Sequence, residues 1–234
     1  MSAAREAKPS GAVGALRIHR AAILAACLLA VGLAGALAGA GGAAAGPVID
    51  PWQALQELRL HLAASGALAA GFHQSYLPAG FATGDEEAGR VALALPDCLR
   101  WDYSEPYPKS YLLCGSRLHT WVAGEPQGER LHVEARDEAG LDLLLLPVEQ
   151  LKSRYTAVAR PASGGAITVE LVPTAPNSRI AQAELSFDPA SQRPTALSYR
   201  DRDGNLSTFR FDAFELLDDD TLFTPPNTLI WKEP

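Results

Sequence analysis

The sequence is poor in the residues and patterns that mark most enzymes. There is no G-x-S-x-G nucleophile elbow, no G-x-x-x-x-G-K-S/T phosphate loop, no H-E-x-x-H, and no G-x-G-x-x-G opening a helix. Of the histidines, His61, His73, His119 and His132 follow the first 45 residues, each alone in sequence, and each reads as a half-buried helix or strand residue. Only three cysteines occur in 234 residues, without a C-x-x-C or a second pair, and there is no His-x-His. That pattern offers no metal centre and no dithiol redox site. Basic clusters are missing too. A chain with 20 Lys and Arg against 27 Asp and Glu repels nucleic acid, whose nonspecific affinity comes from neutralising phosphates. No cofactor, metal or nucleotide is expected, and catalysis would need groups converging from distant positions.

What charge there is lies unevenly. Residues 1–20 carry Arg5, Lys8, Arg17 and Arg20 against Glu6, and residues 21–45 carry none. A basic segment, an apolar run and small residues such as Ala38-Gly39-Ala40 form the pattern of a secretory signal peptide. Two rivals stand beside it. The uncharged run is long enough for a retained membrane anchor, and Leu24-Ala25-Ala26-Cys27 spells a lipobox. The expected division is therefore a signal peptide at 1–45 and one domain at 46–234. Without the leader, 16 basic and 26 acidic residues remain, a net charge near −10. About 189 residues suffice for one core, since such a chain buries roughly 70% of its extended surface. Export would permit disulfides.

After Asp50 the pattern is one helix and then strands. Asp50 can cap, Pro51 suits the first turn, Gln53 stands where a capping box would close, and Leu55, Leu58 and Leu62 recur at helical spacing before Gly66. Short strand-length runs follow at 69–77, 88–95, 98–103, 110–114, 117–123, 130–136, 155–160, 166–173, 180–187, 195–202, 206–214 and 228–232. Regular short strands with turn signals predict an antiparallel sheet that curls. Leu141–Leu151 interrupts them. It is too apolar for a surface loop, is broken by Pro147, and reads as one or two short helices, either a core plug or a lid over an apolar cavity. Asp201-Arg202-Asp203-Gly204-Asn205 faintly resembles a calcium loop, but Asp-Gly between aromatic strands is a hairpin signal. Pairing across it is expected to set Ser198 against Phe209 and Ala196 against Phe211.

Cys98 and Cys114 lie equally far from Pro106, inside Ser104-Glu105-Pro106-Tyr107-Pro108. An antiparallel pair turning there would place the cysteines opposite each other, within bridging distance. Alternation then puts Leu99, Trp101, Tyr103, Tyr111 and Leu113 on one face and Arg100 and Asp102 on the other with the cysteines. Upstream, Val91, Leu93 and Leu95 share a face opposite Ala92 and Ala94. A curved sheet with one apolar face, and an apolar helical flap, is chemically a container.

Several motifs in order resemble the LolA family, the periplasmic outer-membrane lipoprotein carrier proteins of Gram-negative bacteria. They are Phe72-His73-Gln74; Gly89 opening a strand that ends at Pro96; Leu99-Arg100-Trp101-Asp102-Tyr103 with Pro106; Gly115, Leu118 and Trp121; and Leu222-Phe223-Thr224-Pro225-Pro226. The resemblance implies a mainly β fold, an unclosed antiparallel β-barrel of about 11–12 strands with an N-terminal helix and short lid helices over an apolar cavity. It implies a cavity of Phe72, Val91, Leu93, Leu95, Leu99, Trp101, Leu113, Phe209 and Phe211, with Leu143, Leu144, Leu145 and Leu146 in the lid. The implied partners are acylated lipoproteins, an inner-membrane ABC transporter complex and an outer-membrane receptor, with the carrier a periplasmic monomer that uses no cofactor. A membrane-tethered acceptor or sensor, or a carrier of another amphiphile, is the alternative on the same fold. Two positions depart from the family. Leu95 stands where members carry a basic residue that can hydrogen-bond to the lid, so either packing alone holds the lid or another residue such as Arg100 substitutes. Cys114 replaces an Asp, and a Cys98–Cys114 bridge would staple the sheet beside the cavity mouth.

Overall fold

Asp50 starts the first helix as its sequence suggests: its carboxylate accepts from the backbone N–H of Trp52 (2.8 Å) and Gln53 (3.0 Å). The capping box does not close, because the Gln53 side chain donates forward to Glu57 instead. Helix α1 (Pro51–Ala64) buries Ala54, Leu55, Leu58 and Leu62 along one stripe. It ends at Ser65, and Gly66 takes the left-handed conformation (φ 78°) that a helix terminator requires. The molecule is described from a computed structural model, over residues 48–133, 142–218 and 220–233. The signal-peptide reading of residues 1–45 and the 134–136 end of one expected strand lie outside the described residues.

Thirteen strands follow in one sheet. They are β1 (Leu68–Leu77), β2 (Asp85–Ala94), β3 (Cys98–Glu105), β4 (Lys109–Cys114), β5 (Arg117–Val122), β6 (Gln127–His132), β7 (Tyr155–Pro161), β8 (Ile167–Pro173), β9 (Ile180–Asp188), β10 (Arg193–Asp201), β11 (Leu206–Phe211), β12 (Glu215–Leu216) and β13 (Ile230–Lys232). Between β6 and β7 lie α2 (Asp142–Leu145) and α3 (Val148–Arg154). The order is β13-β6-β5-β4-β3-β2-β1-β11-β10-β9-β8-β7, with β12 also beside β1. The sheet curls without closing, and its inner face holds the core. The mainly β, unclosed curled sheet with an N-terminal helix and short covering helices is thus present.

Three details differ from the sequence reading. The sheet is mixed, because β13 runs parallel to β6. The C-terminal chain leaves β12 beside β1, passes β3 as a 3-10 turn (Asp220–Phe223) and reaches the far edge, so it arrives by a crossover instead of a hairpin. Strand β6 begins at Gln127, earlier than expected, where Gly128 lets the Trp231 ring lie against the backbone; a Cβ there would collide with that ring. The β10–β11 register is also one residue off the expected one: Leu197 faces Phe209, Ser198 faces Thr208 and Ala196 faces Arg210. The loop has three residues between Asp201 and Asn205, with Gly204 at φ 91°, and not two. The Asp201 carboxylate accepts from the Asn205 backbone (2.9 Å) and side-chain amide (2.7 Å), so it closes the turn.

Candidate functional site

The inner face is built by alternation. Leu68, Ala70 and Phe72 on β1 stand beside Val91 and Leu93 on β2, Leu99 and Trp101 on β3, and Phe209 on β11, all in the main core cluster. Leu95 and Phe211 are half-buried against it. Leu113 faces Leu99 across β3–β4 and is buried, but outside that cluster. Aromatic rings form the centre. Phe72 meets Trp101 and Tyr103 edge-on at centroid distances of 4.9 and 5.0 Å, and Trp101 lies 4.9 Å from Phe209 and 5.9 Å from Phe211. Trp101 is 5% exposed, and its indole Nε1 has no hydrogen-bond partner. A buried donor left unmade costs about 1–3 kcal/mol.

Sequence reasoning missed the other half of this face. Val169 and Leu171 on β8, Ala183, Leu185 and Phe187 on β9 and Leu197 on β10 extend the apolar surface toward β7. Their strict alternation in Ile167-Thr168-Val169-Glu170-Leu171 was the available signal.

Helices cover the face. From α1 come Leu55, Leu58 and Leu62; Leu143 and Leu146 at α2, with Val148 and Leu151 on α3, are buried in the same cluster, and Leu145 is half-buried against it. The Leu144 side chain lies outside the described residues. The Arg59 guanidinium of α1 joins two parts of the cover by donating to the carbonyl of Leu145 at 2.9 Å. Burial lowers the Arg59 pKa to about 10, so it remains charged at neutral pH. No pattern in sequence marks Arg59 for this contact, because it depends on how α1 and α2 meet.

Toward its other end the inner face turns polar. Tyr103 donates to Gln74 Oε1 at 2.7 Å, and Lys109 pairs with Glu87 at 2.6 Å while lying 4.5 Å from the Tyr103 ring centroid. Burial, then the Glu87 charge, raises the Tyr103 pKa and keeps the phenol neutral. A cavity of about 400 Å³ opens here, lined by Gln74, Tyr76, Asp85, Glu86, Glu87, Pro106 and Tyr107.

The outer face carries a different cover. Arg100 does not reach the α2–α3 helices. Its side chain donates to the Leu222 carbonyl (2.6 Å) and to Asp102 (2.7 Å), and its guanidinium lies 5.2 Å from the Trp121 ring centroid. Asp102 also accepts from Ser110 at 2.7 Å. Cys98 and Cys114 pair directly across β3–β4 and are bonded, S–S 2.03 Å with Cα atoms 4.2 Å apart. The bridge shares the face of Arg100, with Sγ of Cys114 3.9 Å from the Phe223 carbonyl, so it lies opposite the apolar core and under the C-terminal segment. Among the described residues no three His, Cys, Asp or Glu side chains gather as a metal site, and no helix is long and apolar enough to cross a membrane.

The model of the family described as outer membrane lipoprotein carrier protein LolA matches residues 64–225. No curated protein matches the chain. Among solved structures, a LolA superfamily protein from Nitrosomonas europaea is 13% identical with TM-score 0.42, over 76% of this chain and 99% of that one. An uncharacterised conserved protein from Thermus thermophilus is 12% identical with TM-score 0.48, over 76% and 98%. Pseudomonas aeruginosa MucB, in complex with MucA, is 14% identical with TM-score 0.43, over 77% of this chain and 62% of that one.

Proposed function

Because this chain belongs to the outer membrane lipoprotein carrier protein family LolA, we propose that it carries the acyl chains of lipoproteins through the periplasm, on the inner face of its sheet. The observation that carries this reading is the cover: an apolar face spanning most of the sheet is closed by helices that lay buried leucines on it, with Arg59 of α1 bonded to the Leu145 carbonyl. Apolar burial is non-directional, so an acyl chain can replace helix leucines at nearly equal free energy. Each CH₂ of an acyl chain left in water costs about 0.8 kcal/mol, which is why a lipid anchor needs a shield to cross an aqueous gap.

In this reading the acyl chains enter between the sheet and α2–α3, and the polar part of the cargo emerges at the Tyr76–Tyr107 end. Loading requires the helices to move, because the face is filled in the structure. Release is downhill to a better acceptor, or follows displacement of the cover by a partner. An inner-membrane ABC transporter complex would supply cargo and an outer-membrane receptor would take it. Arg59 takes the part that a basic residue at Leu95 would play, from α1 instead of from the sheet. Native mass spectrometry of the protein, purified from a periplasmic fraction without detergent, tests the proposal. One acylated lipoprotein per chain is the expected result. A free phospholipid in its place would change the cargo, and repeated preparations with neither would overturn carriage.

A further inference from the structure

Four buried side-chain polar atoms among the described residues lack a hydrogen-bond partner: Trp101 Nε1, His119 Nδ1, Arg130 Nε and Gln192 Oε1. Only Trp101 belongs to the core cluster of the inner face. Elsewhere on that side polar groups are matched, as in the Tyr103 hydroxyl with Gln74. A buried tryptophan ordinarily finds an acceptor for its N–H, and a phenylalanine would give the same aromatic packing with no donor to satisfy. The rings around Trp101 belong to Phe72, Phe209 and Phe211 and offer no conventional acceptor.

We propose that the Trp101 Nε1–H is a binding group for the carbonyl of an ester- or amide-linked acyl chain lying on the inner face. This deepens the carrier reading and rests on it. Hydrocarbon brings no acceptor to such depth; the carbonyl joining chain to head is the acceptor that an acylated amphiphile does bring. It would satisfy the indole while the chain continues over Phe72, Leu93 and Leu99. Trp101 thereby sets the depth of the cargo, with the acyl linkage at the aromatic centre and the headgroup toward the Gln74–Tyr103 pair. Apolar packing alone would leave a chain free to slide along the face, since it has no preferred register.

The test compares two probes that differ by one carbonyl: a 1-acyl lysophosphocholine and its 1-O-alkyl ether analogue of equal chain length. Titration calorimetry of the wild-type protein is expected to show the ester bound about fivefold more tightly, the worth of one neutral hydrogen bond. Trp101→Phe, which keeps a ring and removes the donor, is expected to bring the ratio to one. Equal affinities in the wild type, or a preference that survives in Trp101→Phe, overturn the assignment and leave amphiphile carriage standing. Failure of both probes to bind overturns the assignment, while the carrier reading stands or falls on the native mass spectrometry. Should Trp101→Phe not fold, the assigned indole N–H resonance of the wild type decides: a downfield shift with the ester alone supports the hydrogen bond, and equal shifts with both probes overturn it.

Discussion

The same sheet wears two short helical covers held in opposite ways. On the inner face, α2 and α3 rest on leucines and valine, and Arg59 of α1 donates to the Leu145 carbonyl. On the outer face, the Asp220–Phe223 turn is gripped through the Leu222 carbonyl by Arg100, itself fixed by Asp102 and Trp121, above a disulfide, and the chain is then clamped by β13 pairing with β6. Directional bonds define one arrangement and are lost when it shifts. Apolar contacts tolerate exchange of one hydrocarbon surface for another. The proposed carriage needs an exchangeable inner cover and a stiff wall behind it, and the two covers differ along that line.

The comparison can be broken most severely at the packing. Leu151→Ala on α3, at a fully buried position, is expected to lower unfolding stability by about 2–5 kcal/mol in denaturant titration. A loss below ~1 kcal/mol would mean that the inner cover does not rely on burial. Next comes the disulfide, which closes a separation of 16 residues. Its removal as Cys98→Ser with Cys114→Ser should cost about 3 kcal/mol by the loop-entropy relation, and acyl-probe affinity should stay within twofold because the bridge faces away from the core. A large fall in affinity would erase the division between the two faces.

A smaller effect is expected at the latch. Arg59→Met retains an apolar stem but removes the donor to Leu145, and hydrogen bonds to charged groups contribute about 1.5–3 kcal/mol. Hydrogen exchange across α3 should quicken, and uptake of an acyl probe with it. Unchanged uptake alongside faster exchange would separate the latch from loading.

The smallest effect concerns His119 on the outer face, packed 4.9 Å from the Trp231 ring. Burial, then Arg130 and Arg117, hold its pKa below the ordinary imidazole value. The unfolded chain therefore takes up the proton first, and stability present above about pH 6.5 declines as pH falls below it. His119→Phe should flatten that decline in thermal melts between pH 7 and 5; an identical slope in the variant would remove His119 as the cause.

Most of the architecture was legible because it is local. Alternation found most strands to within a few residues, the equal spacing about Pro106 found the Cys98–Cys114 register, and the Pro147 break marked one or two short helices where the structure has two. Errors came where the answer depended on one residue of loop geometry, as at Gly204, or on a distant contact, as at Gly128 beneath Trp231. The inner face was only half recognised, since Val169, Leu171, Leu185 and Phe187 have the same alternation as Val91 and Leu93 but no resembling motif to draw attention to them.

Sequence by itself determined what the inner face is made of. Hydrophobic period and turn chemistry act between neighbours, and together they commit one side of each strand to burial. Which partner answers the Leu145 carbonyl, whether Arg100 serves the inner or the outer cover, and that Trp101 ends without an acceptor were decided only in three dimensions. The reason is reach: a hydrogen bond is made or lost over less than an ångström, and residues 86 and 122 positions apart meet at that precision only after the sheet has curled.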